Sequence, residues 1–372
     1  MVHVCFVSPK IHNFLGTGEE TGAGGAERQQ YLLACALRDR GHDVSLLTRN
    51  YDDGARHERH DGIDVSKYIP DVRGVTGAPL KASAVWYALA RIGADVSYVR
   101  GNDFLCMAVA GYCRLAETAF VYAVSSDADV EPSYLDAYHP FRRRIYVEAI
   151  RSADAVAAQT DHQRRVLADA HGIDSTILAN GYDLPDEADV PPHENREFVL
   201  WVGRIAREQK RPELFLDLAR ALPDVQFVMV GPPNDDEEAY FEEVRAETAG
   251  IDNLRFEGFV EPSAIDDYYR RAVALVNTST YEGLPNVFLE AWRYATPVVS
   301  LDYDLDGDLR TEPIGRHSGS MDALVADVAS LVGDVECRAD LGWGGRAYLD
   351  RNYSMRRLVE RYETLFVDAR TD

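Results

Sequence analysis

Short apolar runs alternate with stretches of helical period along most of this 372-residue chain, and the alternation breaks once before starting again. Strand after helix after strand admits few architectures. Parallel neighbours need a crossover between them, and the crossover helices then cover both faces of the sheet. The first run comprises a buried strand over 2–8, a polar loop over 9–25, a helix from Ala26 to Arg40 ended by Gly41, and the strand DVSLLT. A strand near Ile63–Tyr68, a helix near Ala84–Ile92, DVSYVR ending at Arg100, a helix from Phe104 and AFVYAVSSD ending at Asp127 follow. A helix from Phe141 to Ala153, ADAVAAQT, a helix from Asp161 to His171 and TILANGYDLP complete it. LPDEADVPPHEN (184–195) then has proline and charge but no period, the composition of a linker.

The second run reads EFVLWVGR, a helix from Pro212 to Ala221, VQFVMVG, a helix from Asp236 to Ala249, LRFEGFV, and a helix from Ser263 to Arg271. A strand over Val273–Val276, a helix beginning near Pro285 and a strand from Pro297 follow. Met321–Leu331 and Cys337–Arg351 have helical patterning, and Ser354 is placed to cap a final helix through Phe366. The expected fold class is α/β, two doubly wound Rossmann-like parallel-sheet domains over 1–188 and 189–353, which suits the length. Ligands of such sheets bind beyond the carboxyl ends of the strands, so a cleft between two facing domains is the expected site.

Charge narrows the partners. The net charge is −23 and the pI about 4.8, whereas binding along a phosphate backbone draws on clustered Lys and Arg, so nucleic acid is not an expected partner. Only four lysines occur, Lys10, Lys67, Lys81 and Lys210, and an acidic, lysine-poor balance points to a protein kept soluble at high salt, hence a halophilic source. The five cysteines lie mostly in apolar segments without metal-ligand spacing and read as reduced core residues. The amino terminus reads as a buried strand rather than a signal peptide, and no apolar run approaches ~18 residues. These features place the chain in the cytoplasm. Arg142, Arg143 and Arg144 offer either peripheral contact with an anionic membrane or simply a solvated helix face.

NTSTYEGLPNVFLEAWRYATPVVSL (277–301) is the stretch richest in chemistry. Glu282 stands in a polar turn before the helix and Glu290 within it, seven residues between them, so about two turns separate carboxylates that can share one side. Pro285 suits the first helical turn, whose free N–H groups form an anion site, although an ordinary capped helix in a βαβ unit explains the segment alone equally well. Arg204 and Lys210, after another strand, supply a fork and a point charge for a diphosphate, while each singly fits a surface salt bridge. Gly231 and Gly258–Val260 also end strands. Gly24 and Gly25 before the first helix let a ligand approach the backbone, but the loop does not match GxGxxG and no acidic residue ends the second strand, which disfavours a nicotinamide dinucleotide. A cationic pair and a helix terminus can neutralise a leaving diphosphate, so neither metal nor other cofactor is required.

GGAE before the first helix, VGRI with a following lysine, EGLPNVFLE and TPVVS, together with SADAVAAQT and ILANGYD, resemble the retaining glycosyltransferases of family 4, of GT-B fold, over most of the chain and most specifically in its second half. The resemblance implies a nucleotide-diphosphate sugar donor held mainly by the second domain. Carried over by motif, Arg204 and Lys210 hold the diphosphate, Glu290 the ribose and Glu282 the donor sugar. Gly283, Leu284, Pro285, Asn286 and Val287 line the sugar and phosphate, Gly25 approaches the donor, and Gly258, Phe259 and Val260 border the base. The family's last helix crosses back onto the first domain, as 354–368 would here. Two departures stand out. Many members carry a histidine where this chain has Ser125, Ser126 and Asp127, which makes Asp127 the candidate catalytic group of the first domain beside Glu282 in the second. The gap from Arg204 to Lys210 is also one residue longer than in many relatives.

The resemblance implies a retaining transferase moving a sugar to a glycan, polyprenyl-linked or lipid acceptor hydroxyl. Two other classes fit the same fold: a noncatalytic nucleotide-sugar-binding protein, consistent with the missing histidine, and a hydrolytic nucleotide-sugar epimerase. Both glutamates and the cationic pair favour transfer.

Overall fold

The apolar runs form strands because residues buried on both faces of a parallel sheet need no polar alternation. The computed structural model describes residues 1–15, 24–50, 54–72, 74–234, 237–261 and 264–371, apart from the side chains of 74–76 and 371. The chain divides into one unit of Met1–Gly181 with Met355–Asp372 and a second of Tyr182–Ser354. Residues 182–188, expected with the first domain, thus go with the second. Arg293 Nε donates to the Asp183 carbonyl (2.9 Å), and Arg346 donates to the carbonyls of Pro185 and Arg293.

In the first unit the described strands are β1 (His3–Val7), β2 (Asp43–Arg49), β3 (His57–His60), β4 (Ile63–Ile69), β5 (Val96–Arg100), β6 (Ala119–Ala123), β7 (Ala155–Ala158) and β8 (Thr176–Ile177), in the order β3-β4-β2-β1-β5-β6-β7-β8. All neighbours pair parallel except β3 and β4, so the sheet is not wholly parallel as expected. The exception is the polar HERH, an edge strand with exposed and half-buried residues in turn. Helix Gly74–Ile92 starts well before the expected Ala84 and carries Pro79 inside it.

The helix Met355–Thr371 buries Met355, Leu358, Val359, Tyr362, Phe366 and Ala369, a stripe at helical spacing, in the core formed with β1, β5 and β6. The Tyr98 ring meets Phe366 edge-on at 5.8 Å, and the Tyr98 and Tyr362 hydroxyls lie 3.3 Å apart. Arg40 grips Glu363 with two bonds of 2.6 and 2.8 Å, and this pairing with His42 beside it holds the Glu363 carboxyl below its usual range. Ser354, expected to cap this helix, instead pairs through its backbone with Tyr182, and its hydroxyl has no partner among the described residues.

The second unit holds β9 (Phe198–Val202), β10 (Phe227–Val230), β11 (Leu254–Gly258), β12 (Ala272–Asn277), β13 (Val298–Ser300) and β14 (Gly315–His317), in the order β11-β10-β9-β12-β13-β14, all parallel. The order reverses between β9 and β12. Such a switch point is where loops diverge and leave room for a ligand.

Three glycines, Gly342, Gly344 and Gly345, lie within the helix Val335–Tyr353. A Cβ would stand 1.9 Å from the Ala295 carbonyl at the first, 1.9 Å from the Pro313 carbonyl at the second and 2.1 Å from the Trp292 ring at the third. These glycines let the helix lie against Asn286–Arg293, whose buried Trp292 donates to the Ile314 carbonyl (2.9 Å). Among the described residues no helix is long and apolar enough to cross a membrane.

Candidate active site

The loops leaving β9 and β12 at the switch point are laced together. Thr280 N–H donates to the Gln209 carbonyl (2.8 Å) and its hydroxyl to the Glu208 carbonyl (3.1 Å). The Thr278 hydroxyl donates to the Lys210 carbonyl (2.6 Å) and accepts from the Trp201 indole (3.0 Å). Arg211, held left-handed at φ +47 before Pro212, donates through Nε to the Thr278 carbonyl (2.8 Å) and pairs with Asp302. A non-glycine residue in that region costs about 1 kcal/mol or more, so these contacts over-determine the loop.

The lacing brings Lys210 Nζ onto the carboxylate of Glu282, which also accepts from the Ser279 hydroxyl (2.7 Å). Both side chains are largely withdrawn from solvent, at 19% and 10% exposure, which strengthens the pairing above that of a surface bridge. Asn277 shapes the turn by accepting from Ser279 N–H (3.2 Å).

The next helix is Asn286–Arg293, with Pro285 as its N-cap rather than inside the first turn as expected; the Pro285 carbonyl accepts from Phe288 N–H (3.1 Å). Gly283 is tied by its carbonyl to the Tyr303 hydroxyl, Leu284 and Pro285 are buried, and Asn286 and Val287 are half-buried at the helix start. Glu290, on this helix, is buried and accepts from the hydroxyls of Tyr182 (2.6 Å) and Tyr269 (2.7 Å). Neither tyrosine was singled out in the sequence, although Tyr182 stands in the noted segment ILANGYD.

Arg204 is half-buried on the loop after β9. Gly231 has a reason internal to the fold: a Cβ there would lie 1.6 Å from the Gly203 carbonyl, and its N–H donates to the Gly258 carbonyl (2.7 Å). Gly258 adopts φ +65, followed by half-buried Phe259 and Val260.

Gly24, Gly25 and Asp127 belong to the first unit. Gly24 caps the helix Gly25–Asp39 and its N–H donates to Glu27 (3.0 Å), while the glycine-rich residues 16–23 lie outside the described residues. The Asp127 carboxylate accepts from Gln163 Nε2 (2.9 Å). The neighbouring Asp129 gathers Ser125 N–H (2.7 Å), the Ser125 hydroxyl (2.7 Å) and Ser126 N–H (3.0 Å). Burial pushes the Asp129 carboxyl above the usual range, against the pull of these donors. Arg142 pairs with Asp103 and lies over the Tyr138 ring, and Arg143 pairs with Asp136, so two of the three guanidiniums are engaged within the unit.

Two parallel-sheet Rossmann-like units of this kind have the GT-B fold. The structure superposes on sucrose-phosphate synthase of Thermosynechococcus elongatus with a TM-score of 0.78 over 98% of both chains at 19% identity. It matches HepE of Anabaena, solved with UDP and glucose, with a TM-score of 0.74 over 98% of this chain and 99% of that one at 18% identity. Residues 23–185 match the Glycosyltransferase Family 4 pattern and residues 185–343 the Glycosyl transferases group 1 pattern. The chain belongs to the group 1/family 4 glycosyltransferases. It is 29% identical to alpha-maltose-1-phosphate synthase of Mycolicibacterium smegmatis over 57% of this chain and 62% of that protein. It is 27% identical to the phosphatidyl-myo-inositol mannosyltransferase of the same organism over 81% of this chain and 80% of that one. The chain thus spans less than two thirds of the synthase.

Proposed function

We propose that this protein transfers a sugar, with retention of anomeric configuration, from a nucleoside-diphosphate sugar to a hydroxyl of a glycan, polyprenyl-linked or lipid acceptor. The observation that carries the reading is the meeting of Lys210 and Glu282 at the switch point, just before the helix that bears Glu290. The Lys210 ammonium has three donors, so it can hold Glu282 and still offer donors to phosphate oxygens, with Arg204 as the forked partner. N–H groups of the first helical turn add donors for the same charge. Glu282 orients the sugar and stabilises the positive charge that develops as the bond from the anomeric carbon to the phosphate oxygen breaks. The acceptor oxygen bonds to that carbon on the same face, and its proton passes to the departing phosphate. Glu290 accepts from the ribose, Gly258–Val260 border the base, and Gly283–Val287 line the sugar and phosphate. Gly24 and Gly25 approach the donor, and Asp127 positions its sugar.

The mannosyltransferase among the relatives keeps a lipid acceptor in view. The test is a panel of UDP-, GDP- and ADP-sugars screened for thermal stabilisation, then acceptor-dependent release of nucleoside diphosphate with the product anomer read by NMR. Stabilisation and a retained anomer are expected. A panel without stabilisation removes the donor site as assigned, and an inverted product removes the mechanism.

A further inference from the structure

A carboxylate at the end of a glutamate side chain turns easily about its last bond, because that torsion is broad and nearly two-fold. Glu290 is different. Tyr182 holds Oε1 at 2.6 Å and Tyr269 holds Oε2 at 2.7 Å, and all three residues are buried, with 2%, 0% and 5% exposure for Tyr182, Tyr269 and Glu290. With a phenol held on each of its two oxygens, both the position and the plane of the carboxylate are fixed.

Each tyrosine is itself fixed from another direction. Tyr182 N–H donates to the Tyr353 carbonyl (3.0 Å), its backbone pairs with Ser354, and the Arg293 guanidinium lies 5.5 Å from its ring centre. The Tyr269 carbonyl accepts from the Thr296 hydroxyl (2.7 Å) and from Arg196 (3.1 Å). The two phenols therefore reach Glu290 from separately anchored segments, one at the edge of the linker and one on the helix Ile265–Arg271.

We infer that Tyr182 and Tyr269 are positioning residues that lock the Glu290 carboxylate in the orientation in which it accepts from the ribose hydroxyls of the donor nucleotide. The inference rests on the ribose role proposed above for Glu290. An ionised carboxylate can accept about four hydrogen bonds, so two phenolic donors do not exhaust it. What they contribute is preorganisation: the orientation is set before the nucleotide arrives, and binding loses less side-chain freedom. The bland alternative is that the phenols only satisfy a buried charge, in which case they support the fold and carry no preference for the sugar.

The sugar itself separates these roles. The dissociation constants of the full chain are measured by calorimetry for UDP, GDP and ADP and for their 2′-deoxy forms, with Tyr182→Phe and Tyr269→Phe as variants. Phenylalanine keeps the ring and removes the hydroxyl. The parent should prefer the ribonucleotide by roughly tenfold or more, the worth of a hydrogen bond to a charged group. Tyr182→Phe should shrink the preference to within about threefold by weakening the ribonucleotide more than the deoxy form, which offers Glu290 the 3′-hydroxyl alone. A variant that keeps the full preference, or that weakens both forms equally, overturns the positioning role. A parent that binds none of the six, or binds ribo and deoxy forms alike, overturns the ribose assignment of Glu290 and the inference with it, and does so before any variant is made. If Tyr182→Phe does not fold, Tyr269→Phe deletes the other hydroxyl and is held to the same outcomes.

Discussion

Acidification should destabilise the second unit through His193, and the size of the effect follows from its surroundings. His193 is buried, neither ring nitrogen has a partner among the described residues, and the Arg196 and Arg338 guanidiniums stand near it. Burial first, then these two charges, lower its pKa from 6.5 to about 4. The folded state therefore resists a proton that the unfolded chain accepts, so the contribution of neutral His193 is whole above pH ~6.5 and is lost as pH falls toward 4. A pKa lowered that far corresponds to roughly 3 kcal/mol at completion, of which about 2 kcal/mol is gone by pH 5. His193→Phe removes the titration while keeping a flat apolar ring. Urea unfolding of parent and variant, followed by fluorescence to which Trp201, Trp292 and Trp343 of this unit contribute, gives both stabilities at each pH. Between pH 7.5 and pH 5 the difference should move by about 2 kcal/mol in favour of the variant. A difference constant across that range would refute the reasoning, because every other titrating group is common to both proteins.

Other expectations address the site and its supports. Glu282→Gln should leave nucleoside diphosphate affinity nearly intact while lowering turnover at least tenfold in single-turnover kinetics, about 1.4 kcal/mol or more in the transition state; turnover at the parent rate removes the role given to Glu282. Gly342→Ala forces a methyl against the Ala295 carbonyl and should cost about 2–3 kcal/mol of stability, read from denaturant midpoints; a change within 0.5 kcal/mol, on the order of a neutral surface substitution, would argue against the close approach. Ala295 sits at φ +52, so Ala295→Gly should raise stability by about 0.5–1 kcal/mol, the relief of strain exceeding the added freedom of the unfolded chain; a loss would show that the methyl matters more than the backbone. Folding and activity should improve toward molar potassium chloride, where the Debye length falls to ~3 Å and repulsion among surplus carboxylates is screened; a flat or falling melting curve would count against a salt-adapted surface.

What could be read from the residues depended on range. β5, β6, β9 and β12 were legible because their apolar runs are local, and the Pro212–Ala221 helix because Pro212 opens it. β3 was invisible: HERH has no apolar content and becomes a strand by pairing with Ile63–Ser66. Proline and charge accumulate over 184–195 and suggest a boundary there, but Arg293 and Arg346 reach back more than a hundred residues to the carbonyls of Asp183 and Pro185, which belong to the second unit. The spacing of Glu282 and Glu290 placed both around one helix start, whereas the tyrosines on Glu290 come from 108 and 21 residues off and left no local pattern. Gly231 stands out in the sequence as a strand-end candidate of the site, while its packing against Gly203 already requires glycine.

The helix 355–371 belongs to the core of the first unit yet follows the whole of the second in the chain. During synthesis the second unit is complete while β1, β5 and β6 still lack the stripe from Met355 to Ala369, so the unit begun first is finished last. Domains generally fold as they emerge, amino-terminal part first. Here that order is inverted for one face of one sheet, which stays an uncovered apolar surface until that helix arrives. Any interruption of translation within the second unit would leave the first unfinished, a product for chaperones and proteases to recognise.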